Sequence, residues 1–212
     1  MTIPPMLAIL REAIATRQTV TTPDLSNLDL QGVDLSSLDA DRLRAYEAQL
    51  TKVLFTHARL IDADFTDAIL NGAHLDYANL GMATFDNASM EKASLVQVIF
   101  TIGSCRNANL KAADLTGAEL TSTTFRGSRL DGAILDQAIA HETSFYQASL
   151  VGASLRGGQY EQASFREANL TNADLSGGNF RQADFRQAKL SGISWDGAIL
   201  DGALFDSQTI TA

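Results

Sequence analysis

A large apolar residue recurs at every fifth position along most of this 212-residue chain. The segment ANLTNADLSGGNFRQADFRQAKL, residues 168–190, shows the pattern at Leu170, Leu175, Phe180, Phe185 and Leu190. A period of five fits neither the 3.6-residue period of an α-helix nor the two-residue alternation of a β-strand. A short repeat of fixed length is typical of a solenoid, in which each unit buries its apolar side chains against the next.

The repeat is continuous from Val53 to Ala212, a stretch of 32 rows of five residues. The third residue of each row is bulky and apolar, except at Cys105 and Ala140. Two residues earlier, 22 of the 32 rows carry alanine, and most others carry glycine, serine, threonine or valine. We therefore expect both positions to point into a core, with the small residue at a crowded corner.

Several rows reproduce the sequence A(D/N)Lxx, such as those that begin at Ala168 and Ala173. Over about three quarters of its length the chain resembles the pentapeptide-repeat family, whose consensus this is. The resemblance implies an all-β solenoid, a right-handed quadrilateral β-helix with four rows in each coil. It also implies that aspartates at the second position of a row, such as Asp64, Asp114 and Asp174, stabilise turns rather than act as catalytic carboxylates.

The sorting of residue types supports four rows in each coil independently of the family. Positions 20 apart from 65 to 205 are all phenylalanine apart from Cys105, and those from 70 to 190 are leucine apart from Met90. A coil with three or five rows would scramble this sorting. We therefore predict about eight regular coils over residues 53–212, with a ladder of stacked phenylalanine rings inside. We interpret Cys105 as a small buried residue in that ladder rather than as a redox group.

The region before the regular rows, residues 1–52, is predicted to cap the amino-terminal end of the solenoid. Residues 4–18 have the spacing of an amphipathic helix, with Leu7, Leu10 and Ile14 on one face. A terminal cap is expected because the apolar layer of a first coil has no preceding coil to cover it.

A second part of this cap is predicted downstream. Residues 23–38 indicate an imperfect first coil, because leucines there lie on multiples of five. The segment DADRLRAYEAQL, residues 39–50, spaces Leu43, Tyr46 and Leu50 as a helix does. We therefore predict a helix inserted between the first coil and the regular rows.

Charge and composition narrow the functional classes. The formal net charge of −9 disfavours direct binding to nucleic acid or to an anionic membrane. No run of apolar residues has the length that spans a bilayer, and the first residues lack the basic and apolar segments of a signal peptide. We therefore expect a cytoplasmic protein.

The sequence contains no recognisable catalytic or metal-binding motif. His57, His74 and His141 lie in different rows, without the HxxH or HExxH spacing of a metal site. A nucleophile elbow, a phosphate-binding loop and a CxxC pair are also missing. We therefore predict a protein that is not an enzyme and that uses neither a metal nor a cofactor.

Three sets of residues are candidates for binding a protein partner or a second copy. The first is a group of aliphatic side chains at outward positions, Met82, Val96, Ile99, Ile102, Ile134 and Ile139. The second is a column on the phenylalanine side that fits either an acidic partner or a solvated ladder, Arg106, Arg126, Tyr146, Arg166 and Arg186. The third is the last apolar layer, which predicts a tail-to-tail homodimer, Trp195, Leu200, Phe205 and Ile210.

Two functional interpretations remain open. The first is a non-enzymatic bacterial scaffold, adaptor or regulator whose rigid rod binds a protein partner of unknown identity. The second follows from the quinolone-resistance members of the family, whose acidic rods imitate duplex DNA and bind DNA gyrase or related topoisomerases. The net charge of −9 favours the second interpretation, whereas the column of arginines counts against it.

Overall fold

Residues 5–206 are described by a computed structural model. One α-helix, α1 (Pro5–Thr16), precedes a continuous β-helix. In the β-helix, every fifth residue from Asp24 forms a parallel bridge with the residue 20 positions later, and the last of these bridges joins Asp184 to Leu204. Each coil therefore contains 20 residues arranged in four sides, as the sorting of residue types predicted.

We designate the four sides of the rod by the bridged residues at their centres. Face A extends from Asp24 to Leu204, face B from Asp29 to Lys189, face C from Asp34 to Ser194 and face D from Asp39 to Ile199. Nine successive bridges connect the coils along face A. Neighbouring coils in such a ladder are about 4.8 Å apart. Each side contributes one bridged residue per coil. The bridges therefore form four ladders along the length of the rod instead of extended strands.

The row that begins at Ala168 shows how one side is built. Ala168 and Leu170 are fully buried, while Asn169 between them is partly exposed. The Asn169 N–H donates to the carbonyl of Ala148 in the preceding coil at 2.9 Å, and the Leu170 N–H donates to that of Lys189 in the next coil at 2.9 Å. Successive amides therefore bond to opposite neighbours, which satisfies the backbone of each side.

Each corner is a tight turn between two sides. At one corner the Val33 N–H donates to the carbonyl of Leu30 at 3.1 Å, and Gly32 between them has a φ of 65°. A positive φ at the third of four residues is the sign pattern of a type II turn, which glycine adopts without steric cost. Ile102 occupies the same kind of position with a φ of 57°. From residue 27 to residue 202, it is the one β-branched corner residue with positive φ.

Stacked aromatic rings fill the core behind face A, as predicted. The rings of Phe65 and Phe85 have centroids 4.7 Å apart and planes within 6° of each other. The rings from Phe125 to Phe205 continue the stack with centroid separations of 4.9–5.2 Å. Cys105 interrupts the ladder with a buried thiol, and burial raises the pKa of that thiol.

The helix predicted over residues 39–50 is wrong. Arg44, in the middle of that segment, forms a parallel bridge with Asp24, so the β-helix continues there. Residues 23–38 likewise form regular sides rather than an imperfect coil. The regular coils therefore begin near Asp24 and not at Val53.

An exchange of large and small residues explains this error. Most rows place a small residue before the bridged position and a large one after it, whereas here Leu38 precedes Ala40 and Leu43 precedes Ala45. All four side chains are fully buried. Each of these two sides therefore fills the core with the large residue before the bridged position and the small residue after it. Tyr46, which completes the apparent helical spacing, is a corner residue with an exposed side chain.

The helix predicted near residues 4–18 is present as α1. Leu7 and Leu10 belong to the same buried apolar cluster as Leu25 in the first coil, and Ile14 packs against that cluster. The apolar face of α1 therefore covers core residues at the amino-terminal end of the rod.

Candidate interaction surfaces

An aliphatic ridge, Ile61, Met82, Ile99 and Ile102, lies on face D and its corner with face A. Met82 and Ile102 occupy the same corner position in successive coils, where the Met82 N–H donates to the Thr101 carbonyl at 2.9 Å. Ile99 lies at the centre of face D in the same coil as Ile102. Met82 and Ile102 are 51% and 67% exposed. Clustered exposed aliphatic side chains are typical of a surface that another molecule covers.

Ile102 combines this exposure with an unfavourable backbone conformation. Its φ of 57° lies in the left-handed region, where the Cβ of an L residue approaches a carbonyl oxygen at a cost of about 1–2 kcal/mol. A branched Cβ makes such a conformation a genuine outlier. Because the side chain is largely exposed, packing within the rod does not offset this cost. A strained residue at an exposed position is evidence for a functional role.

A shallow pocket of about 320 Å³ borders the ridge at Ile61 and Met82. Residues 19–22, which connect α1 to the first coil, form part of its lining together with Arg42 and Asp62. The Arg42 Nε and Asp62 Oδ2 atoms lie 3.7 Å apart. Sequence analysis missed this pocket, because residues 19–22 precede the repeat and carry no pattern that places them against it.

An acidic strip, Glu119, Glu142 and Glu161, continues from the ridge along the rod. Glu119 lies at the centre of face D and is bridged to Ile99 in the preceding coil and to Ile139 in the next. The Ser122 hydroxyl donates to Glu142 Oε2 at 3.4 Å. In residues 5–206, no ion pair joins a carboxylate of the strip to lysine or arginine.

The structure separates the aliphatic residues that the sequence grouped together. The residues on face D or its corner with face A are Met82, Ile99, Ile102 and Ile139. Ile134 instead lies at the centre of face C. Val96 is a half-buried residue at the corner between faces C and D, where its N–H donates to Asp76 Oδ1 at 3.0 Å. Ile134 and Val96 are therefore not part of the ridge.

The column of arginines follows the corner between faces A and B, and carboxylates lie beside it. Arg186 binds Asp184 at two points, with Nε donating to Oδ1 at 2.9 Å and Nη2 to Oδ2 at 2.6 Å. This side-chain hydrogen bonding is the main cause of a lowered pKa at Asp184. The Arg106 Nη1 atom lies 3.6 Å from Asp86 Oδ2.

A second group in the column is built around Tyr146. The guanidinium carbon of Arg126 lies 4.9 Å from the centre of the Tyr146 ring, a cation–π distance. The Tyr146 hydroxyl donates to Glu167 Oε1 at 3.0 Å, and Gln147 Nε2 donates to Oε2 at 2.8 Å. The hydrogen bond from Gln147, followed by that from Tyr146, lowers the pKa of Glu167. These internal contacts favour a self-compensated ladder over a site for an acidic partner.

The last described coil has a partly exposed apolar layer. Trp195, Leu200 and Phe205 pack against the core without being fully buried. The Phe205 ring stacks on Phe185 with centroids 5.2 Å apart. Ile210 lies outside the described residues. The tail-to-tail homodimer stays a prediction.

The histidines take part in local contacts. His57 stacks on Tyr77 with ring centroids 4.9 Å apart, and His74 Nδ1 lies 3.8 Å from Asp76 Oδ2. Across residues 5–206, histidine, cysteine, aspartate and glutamate side chains form no group of three or more that could hold a metal ion. In that same range, no helix combines the length and the apolar character needed to cross a membrane.

Comparison with known proteins identifies the repeat. The family model for pentapeptide repeats matches residues 48–101 and 104–207, in eight copies. The chain belongs to the pentapeptide-repeat family. Membership implies the right-handed β-helix that the sequence predicted, and the 20-residue coil agrees with it.

Solved pentapeptide-repeat structures are similar to most of the chain. HetL from the cyanobacterium Nostoc sp. strain PCC 7120, involved in heterocyst differentiation regulation, is 28% identical over 92% of both chains, with a TM-score of 0.52. QnrB1, a plasmid-mediated fluoroquinolone resistance protein, is 16% identical over 88% of this chain and 91% of its own, with a TM-score of 0.50. The likeness to QnrB1 shows the fold alone. Among proteins with curated descriptions, none matches the sequence significantly.

A shorter match is Rfr23, a pentapeptide-repeat protein from the cyanobacterium Cyanothece 51142. The two proteins are 32% identical over a region that covers 46% of this chain and 67% of Rfr23, with a TM-score of 0.44.

The pentapeptide motif constrains the two inward positions and the residue between them. Met82 and Ile102 occupy a corner position that the motif leaves open. The ridge is therefore a feature of this chain that the family pattern does not require.

Proposed function

We propose that this pentapeptide-repeat protein is a non-enzymatic interaction module that binds a protein partner through the aliphatic ridge. The observation that carries the proposal is Ile102, which is 67% exposed and holds a left-handed backbone conformation despite its branched Cβ. Neither the core nor the turn benefits from isoleucine there. Contact with a second molecule gives that side chain apolar burial that the rod alone does not supply.

The rod suits a binding role because it presents the ridge in one fixed arrangement. Each coil is hydrogen-bonded to the coils on both sides, so the spacing between Met82 and Ile102 is set by the backbone ladder. A preorganised surface binds with a smaller entropy cost than a flexible one. A regulatory role in the bacterial cytoplasm is part of the proposal, and the involvement of HetL in regulating heterocyst differentiation supports it.

The test compares two exposed isoleucines, Ile102 in the ridge and Ile134 on face C. Ile102→Asp places a charge in the ridge, and aspartate tolerates the left-handed conformation, so the fold is retained. Ile134→Asp places the same charge on face C, away from the ridge. Affinity purification of the full chain from its source cells is expected to recover the same partners with wild type and Ile134→Asp. Recovery of those partners in equal amounts with Ile102→Asp would reject the ridge as the binding surface.

Binding to DNA gyrase is the second candidate function, and the net charge of −9 favours it. A DNA mimic has to present carboxylates along one side of the rod at intervals comparable to phosphates. Purified protein added to a gyrase supercoiling assay, with and without a quinolone, tests this function directly. Neither inhibition of supercoiling nor protection from the quinolone is expected if the ridge is the functional surface.

A further inference from the structure

We infer that the partner of the ridge is an amphipathic segment that places lysine or arginine side chains opposite the acidic strip. This inference rests on the proposed function and adds the chemistry of the partner. Ile102 and Glu142 occupy the same corner position two coils apart, so about 10 Å separates their backbone positions along the rod. One continuous segment can therefore contact both the aliphatic ridge and the acidic strip.

The glutamates of the strip differ from several aspartates at the corners of the rod. Asp76, Asp86 and Asp136 each accept hydrogen bonds from a serine hydroxyl and a backbone N–H of the next coil. Those carboxylates have a structural role within the ladder. Glu119 and Glu161 have no such hydrogen bonds from other described residues, and Glu142 receives one long bond from Ser122. The carboxylates of the strip are thus available to an outside group.

Electrostatics then selects the partner. A segment that covers the ridge also brings the neighbouring carboxylates into contact with its own surface. Removing a carboxylate from water without a cation beside it is strongly unfavourable, so an acidic or purely apolar partner is disfavoured. Lysine or arginine at the matching positions removes that penalty and adds attraction that guides the approach of the partner.

The spacing also sets where the basic residues lie in the partner. In a helical partner segment, which rises 1.5 Å per residue, about 10 Å corresponds to six or seven residues. This is the expected separation between the apolar side chains of the partner that contact the ridge, here called its anchors, and its basic side chains. The anchors contact Met82 and Ile102, and the pocket beside Met82 lies at the end of the ridge away from Glu142. The basic residues are therefore directed toward the carboxyl-terminal end of the rod.

Photocross-linking at Ser122 tests which chemistry covers this surface. Ser122 is an exposed residue at the same corner position as Ile102 and Glu142, and it lies one coil from each of them. A benzoylphenylalanine at residue 122 is expected to capture, in the source cells, a peptide that contains apolar residues and lysine or arginine. The same cross-linker at Ala112, an exposed corner residue between faces B and C, is the control and is expected not to capture it. A captured peptide without basic residues, or one from a second copy of this chain, overturns the inference.

Charge removal provides a second measurement on the same surface. Binding of the captured peptide, made synthetically, is expected to be at least tenfold weaker to the variant Glu119→Gln/Glu142→Gln/Glu161→Gln at low salt. The difference is expected to shrink as salt is added. Glu91→Gln, a change at the corner between faces B and C, is the matched control and is expected to leave the affinity unchanged.

The outcomes separate this inference from the proposed function. Binding that is lost with Ile102→Asp but unchanged in the triple glutamine variant overturns the basic partner and leaves the ridge as a binding surface. Binding that is unaffected by Ile102→Asp overturns both. If the cross-linker at residue 122 captures no more peptide than the cross-linker at residue 112, the inference and the proposed function are both overturned.

Discussion

The ring of Phe100 occupies the space in which a side chain at Gly103 would lie, because a Cβ built on Gly103 would be 2.1 Å from Cε2 of Phe100. The same ring is edge-on to Phe85 and Phe125, with centroid distances of 5.5 and 6.3 Å. It therefore connects the two parts of the phenylalanine ladder that Cys105 separates. The small thiol leaves space in the ladder, Phe100 fills it, and glycine at residue 103 lets the ring approach the backbone.

We predict that Gly103→Ala destabilises the protein by about 1–3 kcal/mol, because the added methyl group forces the Phe100 ring out of its position. Gly81→Ala is the matched control, since its nearest neighbour would be an Asn79 oxygen at 3.4 Å and its backbone is not left-handed. The control is expected to change stability by less than about 0.5 kcal/mol. Thermal unfolding followed by circular dichroism compares the two variants. Equal melting temperatures for both would show that Phe100 can move without loss.

The sequence predicts the coil well because the same physical requirement recurs in every row. Each side needs a fixed apolar volume, and the periods of five and 20 follow from that need. The prediction fails where the large and the small buried residue of a side exchange positions, as at Leu38 and Ala40. It also fails to foresee the position of the Phe100 ring, because the neighbours of that ring lie 15 and 25 residues away along the chain.

We predict that Ile102→Asn stabilises the rod while it weakens partner binding. Asparagine adopts the left-handed conformation at lower cost than isoleucine, so a gain of about 1 kcal/mol is expected. For a chain of this size the gain corresponds to a rise in Tm of about 2–4 °C. Ile99→Asn is the matched control, because Ile99 lies at a bridged position without positive φ. A lower Tm for Ile102→Asn than for wild type contradicts the assignment of strain to this residue.

Hydrogen bonds accepted by aspartate side chains stabilise many corners. Asp136 Oδ1 accepts hydrogen bonds from the hydroxyl of Ser154 and from the N–H of Arg156 at 3.0 Å, both in the next coil. In other rows a bridged aspartate does the same work within its own turn, as Asp174 does for the Ser176 N–H at 3.0 Å. In both arrangements an aspartate accepts a hydrogen bond from the first N–H of a corner. That aspartate lies in the preceding coil in the first arrangement and in the same coil in the second.

We predict that Asp136→Ala and Ser154→Ala each lower the free energy of unfolding by about 1 kcal/mol, and that the double variant loses less than their sum. The coupling is expected to be about 0.5–1.5 kcal/mol, because each substitution removes the partner of the other. Denaturant unfolding of the four proteins gives the cycle. Asp196→Ala, at an equivalent corner in the last full coil, is expected to change stability by less than about 0.5 kcal/mol. Strict additivity would indicate that the hydroxyl and carboxylate act independently.

The candidate surfaces are less predictable from the sequence than the core. Asp64, Asp114 and Asp174 accept the turn hydrogen bonds that the family resemblance implied. Asp136 accepts hydrogen bonds from residues 18 and 20 positions later in the chain, so no local motif identifies these bonds. The exposure of Ile102 follows from its outward position in the repeat, whereas its strain requires knowledge of which corner residue has positive φ.

We predict that Arg186→Gln lowers stability at neutral pH and that this effect diminishes as the pH falls below about 4. Hydrogen bonding to Arg186 lowers the pKa of Asp184 in the folded state, whereas the ordinary aspartate pKa is about 3.9. The stability supplied by this pair is therefore fully present above about pH 4 and is lost as the pH falls through the lower folded-state pKa. Because the Arg186 side chain is 48% exposed, solvent screens the pair, and the expected loss of stability at pH 7 is small.

Arg181→Gln provides the control for this pH dependence. Arg181 Nε contacts Asp201 Oδ2 at 3.2 Å, but the Asp201 side chain is 75% exposed, compared with 19% for Asp184. Solvent screens the exposed pair, so its removal is expected to leave the melting temperature nearly unchanged at neutral and at acidic pH. A destabilisation by Arg186→Gln that kept the same size from neutral to acidic pH would instead assign its effect to packing of the arginine side chain, since the hydrogen bonds to Asp184 stabilise the fold only while that carboxylate is ionised.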